Sequence, residues 1–206
     1  MRRARIVPRA FRARPASWMK AIDMPTFKRL IEVMEVRRVK VFVHWSVLLI
    51  GGVILCGAVE DPFLAFTVLA AYYGVILVHE CGHMLAAQRK GCTVFSIDLY
   101  PIWGLTHFSE PYSRRDLCVI AWGGVAAQAM IAVPILILVE IFGYTRFPAM
   151  NAILVIFGFF SLSVAVFNLI PVPPLDGAIA LRLLPALFKR SLTPPKVRKP
   201  DWRSWR

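Results

Sequence analysis

The fold class predicted is an all-α polytopic membrane protein with about four transmembrane helices, a re-entrant hairpin and a short re-entrant or interfacial helix. Three observations predict it. The 206 residues are 58% hydrophobic and 18% charged, with a mean hydropathy of +0.61, whereas soluble domains have about 45 to 50% apolar and about 25% charged residues. Four apolar runs, residues 41 to 59, 63 to 87, 117 to 142 and 151 to 170, are long enough for a hydrocarbon core of about 30 Å. Charge is segregated: residues 1 to 40 hold 12 Lys/Arg against 3 acids, and residues 189 to 206 hold 7 against 1.

Residues 1 to 40 read as a basic cytoplasmic extension. Arg2, Arg3, Arg5, Arg9, Arg12 and Arg14 precede the first acid, Asp23, which gives the start some transit-peptide colour. No signal peptide is expected, because the first long apolar run begins only near Val41 and lacks a small-residue cleavage site. With no nucleic-acid module in view, the basic ends fit the rule that Lys/Arg-rich flanks stay in the cytoplasm, and nucleic acid is not an expected partner. Four spans return both ends to that side. Arg37, Arg38, Lys40, Arg89, Lys90, Arg114, Arg115, Lys189 and Arg190 all fall there, Glu60 and Asp61 fall opposite, and Arg146 is the exception.

Between the second and third runs, residues 93 to 108 partly alternate, with Pro101 and Gly104 as breakers. A short hairpin dipping into the interface is expected. Residues 177 to 188 form an apolar stretch too short to span, expected to lie re-entrant or interfacial. Residues 41 to 188 thus make the membrane-embedded domain and 189 to 206 a basic cytoplasmic tail. Cys56, Cys81, Cys92 and Cys118 form no CxxC pair and read as small core hydrophobes. His44 and His107 have no partner spacing and read as satisfied interfacial histidines, and Trp103, Trp202 and Trp205 as interfacial anchors.

The chemistry concentrates at His79-Glu80-Cys81-Gly82-His83, inside the second run. Residues four apart share a helix face, so His79 and His83 can offer imidazole nitrogens to one zinc ion with Glu80 beside them. Three ionisable residues in five cost roughly 2.5 to 3.5 kcal/mol each in hydrocarbon, which calls for a metal or a wet cavity. At 1.5 Å per residue, His83 lies about 6 Å and His79 about 12 Å from the cytoplasmic end of the run. A catalytic zinc takes a third protein ligand. Asp176, the sole carboxylate between Glu140 and Asp201, follows Asn168-Leu169-Ile170-Pro171-Val172-Pro173-Pro174-Leu175, where three prolines break the helix and aim it inward. Plainer readings stand beside these: buried helix-packing histidines, Asp176 as a helix N-cap, and Gly123 and Gly124 as small residues that permit close helix approach.

His79 to His83, Gly123-Gly124-Val125-Ala126-Ala127-Gln128 and Asn168 to Gly177, taken in order, resemble the site-2 protease family of intramembrane zinc metalloproteases over most of residues 41 to 188. The resemblance implies one zinc ion held by His79, His83 and Asp176, with Glu80 as general base and Asn168 steadying the substrate or the developing oxyanion. The family usually has Asn where this chain has Gln128. The PDZ insertion and nucleotide-sensing domain of some relatives are expected to be missing. The implied function is hydrolysis of peptide bonds within or next to transmembrane segments of membrane proteins, with the lipid bilayer as environment; compactness favours a bacterial inner membrane as location. A strand edge near Ile97 to Leu105 is expected to hold the unwound substrate. The alternatives are a catalytically silent zinc-binding adaptor, against which the intact Glu80 argues, and a zinc transporter, which would need ligands on both faces of the membrane.

Overall fold

The computed structural model describes residues 30–57 and 60–181. Its elements run β1 (Leu30–Val36), β2 (Val39–His44), α1 (Trp45–Gly57), α2 (Pro62–Arg89), β3 (Val94–Leu99), β4 (Gly104–Phe108), α3 (Arg114–Phe142), α4 (Pro148–Val155), α5 (Ser161–Asn168) and α6 (Gly177–Ala180). A π-helical turn, Ile156–Phe160, joins α4 to α5 without a break. Together they make an apolar rod of 21 residues, Pro148–Asn168.

Among the described residues three helices are long and apolar enough to cross a membrane: Pro62–Arg89, Arg114–Phe142 and Pro148–Asn168. The first expected span divides. Val41, Phe42 and Val43 are β-branched or aromatic and pair with strands on both sides, so the helix starts only at Trp45. With 13 residues, α1 reaches about 20 Å, short of a bilayer core of about 30 Å. Hydropathy merged a strand and a short helix into one run. The all-α expectation is corrected by the same finding, since a four-stranded sheet of order β1-β2-β3-β4 accompanies the helices.

β1 and β2 pair antiparallel, which draws Leu30–Val36 out of the expected N-terminal extension and into the sheet. Their turn places Arg37 and Arg38 at φ of +50° and +67°, as a two-residue hairpin requires, although Asn or Gly would adopt it with less strain. β2 and β3 run parallel, with α1 and α2 as the crossover. β3 and β4 form the hairpin expected from residues 93 to 108. One face of the sheet packs through Val39, Val41, Ile97 and Leu99 onto Ile76 and Met84 of α2, and so brings the sheet alongside the metal-binding motif.

α2 and α3 are fixed at their ends. Asp61 accepts from the Leu64 backbone N–H at 2.9 Å at the start of α2, and Ser113 accepts from that of Asp116 at 3.1 Å at the start of α3. Lys90 Nζ lies 3.0 Å from Asp116 Oδ1, tying the end of α2 to the start of α3. Between them the helices touch backbone to backbone: a Cβ added at Gly123 would stand 2.6 Å from the Gly82 carbonyl oxygen, and one at Gly82 would strike Gly123. Of the stretch expected at 177 to 188, α6 and Leu181 are described. The remainder, the tail 189 to 206 and residues 1 to 29 lie outside the described residues.

Candidate metal centre

His79, Glu80 and His83 occupy successive positions on the buried face of α2. The loop after α5 carries Asp176 back to them. Asp176 precedes α6 but makes no capping hydrogen bond with its side chain; its Oδ2 instead lies 3.0 Å from His79 Nε2 and 3.1 Å from His83 Nε2. The two Nε2 atoms are 3.0 Å apart. Two histidines and one aspartate therefore converge on one point, and among the described residues this is the one group with metal-holding geometry.

The outer nitrogens explain which inner atoms are free to ligate. His83 Nδ1 donates to the Ile120 carbonyl at 2.8 Å, an acceptor by its chemistry. His79 Nδ1 faces Gln128 Oε1 at 2.9 Å. With both protons on Nδ1, each Nε2 turns a lone pair inward, the arrangement second-sphere acceptors impose on metal-ligating histidines. Two imidazole lone pairs and a carboxylate oxygen, all within 3.1 Å of one another, call for a cation between them. The spacing suits zinc, whose tetrahedral bonds of about 2.0 to 2.2 Å separate ligands by roughly 3.3 Å.

Glycines make the room. A Cβ at Gly124 would stand 2.6 Å from both His79 Cε1 and His83 Nε2, so α3 must be bare there for the imidazoles to meet. This gives Gly124 a definite role beyond close helix approach. Gln128 is wholly buried. Its amide oxygen meets His79, and its Nε2 has no hydrogen-bond partner among the described residues.

Glu80 is 5% exposed. Its carboxylate is met by β4: Thr106 Oγ1 lies 2.7 Å from Glu80 Oε2 and 3.1 Å from the Glu80 carbonyl oxygen. Gly104, on the same strand face, leaves space that a Cβ would take from the carboxylate. The sequence reading missed both, because nothing local in residues 104 to 106 announces a contact with residue 80. Asn168 is the last residue of α5, and among the described residues no hydrogen bond ties its amide to the cluster.

Away from the centre, His107 Nε2 lies 2.9 Å from Asp98 Oδ2. That hydrogen bond raises the His107 pKa against the opposing effect of burial. His44 Nδ1 lies 2.6 Å from Ser46 Oγ and the ring stacks on Tyr100 at 5.4 Å. Neither histidine joins the cluster.

Comparison with known proteins bears on the same region. Residues 125–200 match the family model described as Peptidase family M50. That stretch contains Gln128, Asn168 and Asp176 but not residues 79 to 83, so the histidine motif and the family match are separate observations. A Synechocystis protein named "Putative zinc metalloprotease" is 32% identical over 114 residues, 53% of this chain; the chain spans only 29% of that relative's length. The solved Site-2 Protease from Methanocaldococcus jannaschii shares the fold with a TM-score of 0.61 at 21% identity, over 79% of this chain and 73% of the other.

Proposed function

Starting from the site-2 protease family, which the comparisons support, and from zinc as its metal, we propose that this protein is an intramembrane endopeptidase. It cuts membrane proteins within or next to a transmembrane helix. The observation that carries the reading is the meeting of His79, His83 and Asp176 beside a buried Glu80.

Zinc at that point would polarise the scissile carbonyl and make water a better nucleophile. The rest falls to the chain. His79 and His83 present Nε2 because Gln128 and Ile120 occupy their Nδ1 positions. Asp176 supplies the charge that completes the ligand set. Glu80 takes the proton of the attacking water and delivers it to the departing amine. Enclosure by α2, α3 and β4 keeps bulk water from weakening these interactions. Asn168 remains the candidate for steadying the substrate carbonyl.

A helical substrate must be unwound before its carbonyl can be reached. β3 lies between β2 and β4, so among the described residues the strand edge available beside Glu80 is that of β4, not the stretch from Ile97. Tyr100 N donates to Trp103 O at 2.9 Å, and alternation along the antiparallel pair then turns the backbone N–H and C=O of Thr106 outward. An extended substrate segment pairs there by strand addition. The basic flanks support cytoplasmic placing of both ends.

The test is reconstitution of the purified protein with a panel of single-span membrane proteins, comparing wild type, Glu80→Gln and wild type with chelator. Cleavage by the wild type alone is expected. Zinc binding without cleavage, with Glu80→Gln indistinguishable from wild type, would point to the adaptor instead.

A further inference from the structure

We infer that Thr106 is a positioning residue for the base, and that β4 sets the direction in which Glu80 presents its carboxylate. This rests on the reading of Glu80 as the base, and it adds a residue that lies far from the motif in sequence. Three observations carry it. Thr106 is 8% exposed and its hydroxyl points at α2, 2.7 Å from Glu80 Oε2. The same hydroxyl lies 3.1 Å from the Glu80 carbonyl oxygen, so its single proton is shared between the two acceptors, with the shorter contact to the carboxylate the stronger. Gly104, two residues earlier and therefore on the same strand face, fits against the carboxylate, and a Cβ there would stand 2.6 Å from Glu80 Oε1.

A Glu side chain has three rotatable bonds, and on a helix facing a cavity it would sample several directions. Thr106 removes that freedom. One carboxylate oxygen is retained by the hydroxyl at 2.7 Å, and the strand backbone of β4 fixes where that hydroxyl stands. Burial makes the restraint strong, because hydrogen bonds to a charged acceptor gain weight where water is excluded. Thr106 also presents its own backbone to the open edge of β4, so one residue links the strand on which substrate is proposed to lie with the group that acts on it.

The experiment uses the full chain, purified with zinc, in three forms: wild type, Thr106→Val, which keeps the shape and removes the hydroxyl, and Thr106→Ser, which restores it. Thr106→Val is expected to lower kcat by about ten- to a hundredfold with KM and one zinc per chain retained, and Thr106→Ser to recover to within about threefold of wild type. A second readout does not depend on turnover: the infrared carboxylate band that Glu80→Gln abolishes should shift in Thr106→Val and return in Thr106→Ser. An unmoved band, or equal impairment of both variants with loss of zinc, overturns the inference. If no form cleaves any substrate, the proteolytic reading fails by itself, and the infrared band still decides the role of Thr106.

Discussion

The two halves of α2 are built from similar residues and live in different surroundings. From Pro62 to Ala70 the helix is apolar and no residue is buried, with Phe63 and Phe66 turned outward at 70% and 59% exposure. From Ala71 to Ala87 it is buried on one face, against the sheet through Ile76 and Met84 and against α3 through Gly82. The apolar side chains alone do not separate them, since lipid tails and a protein interior are equally apolar. What separates them is the pattern of small and ionisable residues. Glycine appears where backbones must touch, and charge where a partner waits to neutralise it.

That contrast can be broken at its strongest point first. Gly124→Leu would drive a side chain into both imidazoles and is expected to abolish zinc binding, as measured by metal content of the purified protein. Asp176→Ala removes one of three ligands and should lower zinc affinity by more than about 100-fold in a competition titration, beyond the about 10- to 100-fold typical for outer partners. Unchanged stoichiometry at limiting zinc would remove Asp176 from the ligand set. Gln128→Leu keeps the volume and loses the acceptor for His79 Nδ1, so about 10- to 100-fold weaker zinc binding is expected. Phe66→Ala, in the exposed half, should leave both zinc content and cleavage as they are. A large loss there would mean that this half packs against protein.

The smallest effect concerns the sheet. The hydrogen bond to Asp98 raises the His107 pKa above its unfolded value. The pair's contribution to stability is therefore complete below about pH 6.5 and fades as pH rises through the raised value. With the His107 side chain 42% exposed, screening limits it to about a few tenths of a kcal/mol. The difference in unfolding midpoint between wild type and His107→Gln should accordingly shrink from pH 5.5 to pH 8.5, both pH values being about one to two units either side of the ordinary histidine range.

How much of this was legible in the sequence follows from the range of each interaction. His79 and His83 were readable together because a helix brings residues four apart onto one face. Asp176 was readable because a proline-rich break with one carboxylate is rare in an apolar chain. The hairpin at residues 93 to 108 showed its alternation. β1 was not readable: Leu30–Val36 sits in a basic flank, and its turn uses Arg37 and Arg38 where Asn and Gly would have signalled a hairpin. The start of α1 was hidden because Val41 to Val43 are as hydropathic in a strand as in a helix. Thr106, Gly104 and the His79 contact of Gln128 depend on tertiary placement, which no local pattern encodes.

The central claim is that two imidazoles and one carboxylate hold a single divalent ion between α2 and the loop before α6. X-ray absorption at the zinc edge of the purified protein, with metal content measured on the same sample, tests it most directly. The account predicts one zinc per chain, with two imidazole nitrogens and oxygen ligands at about 2.0 to 2.2 Å and no sulfur. Sulfur at about 2.3 Å, or a spectrum unchanged in His79→Ala and Asp176→Ala, would contradict it.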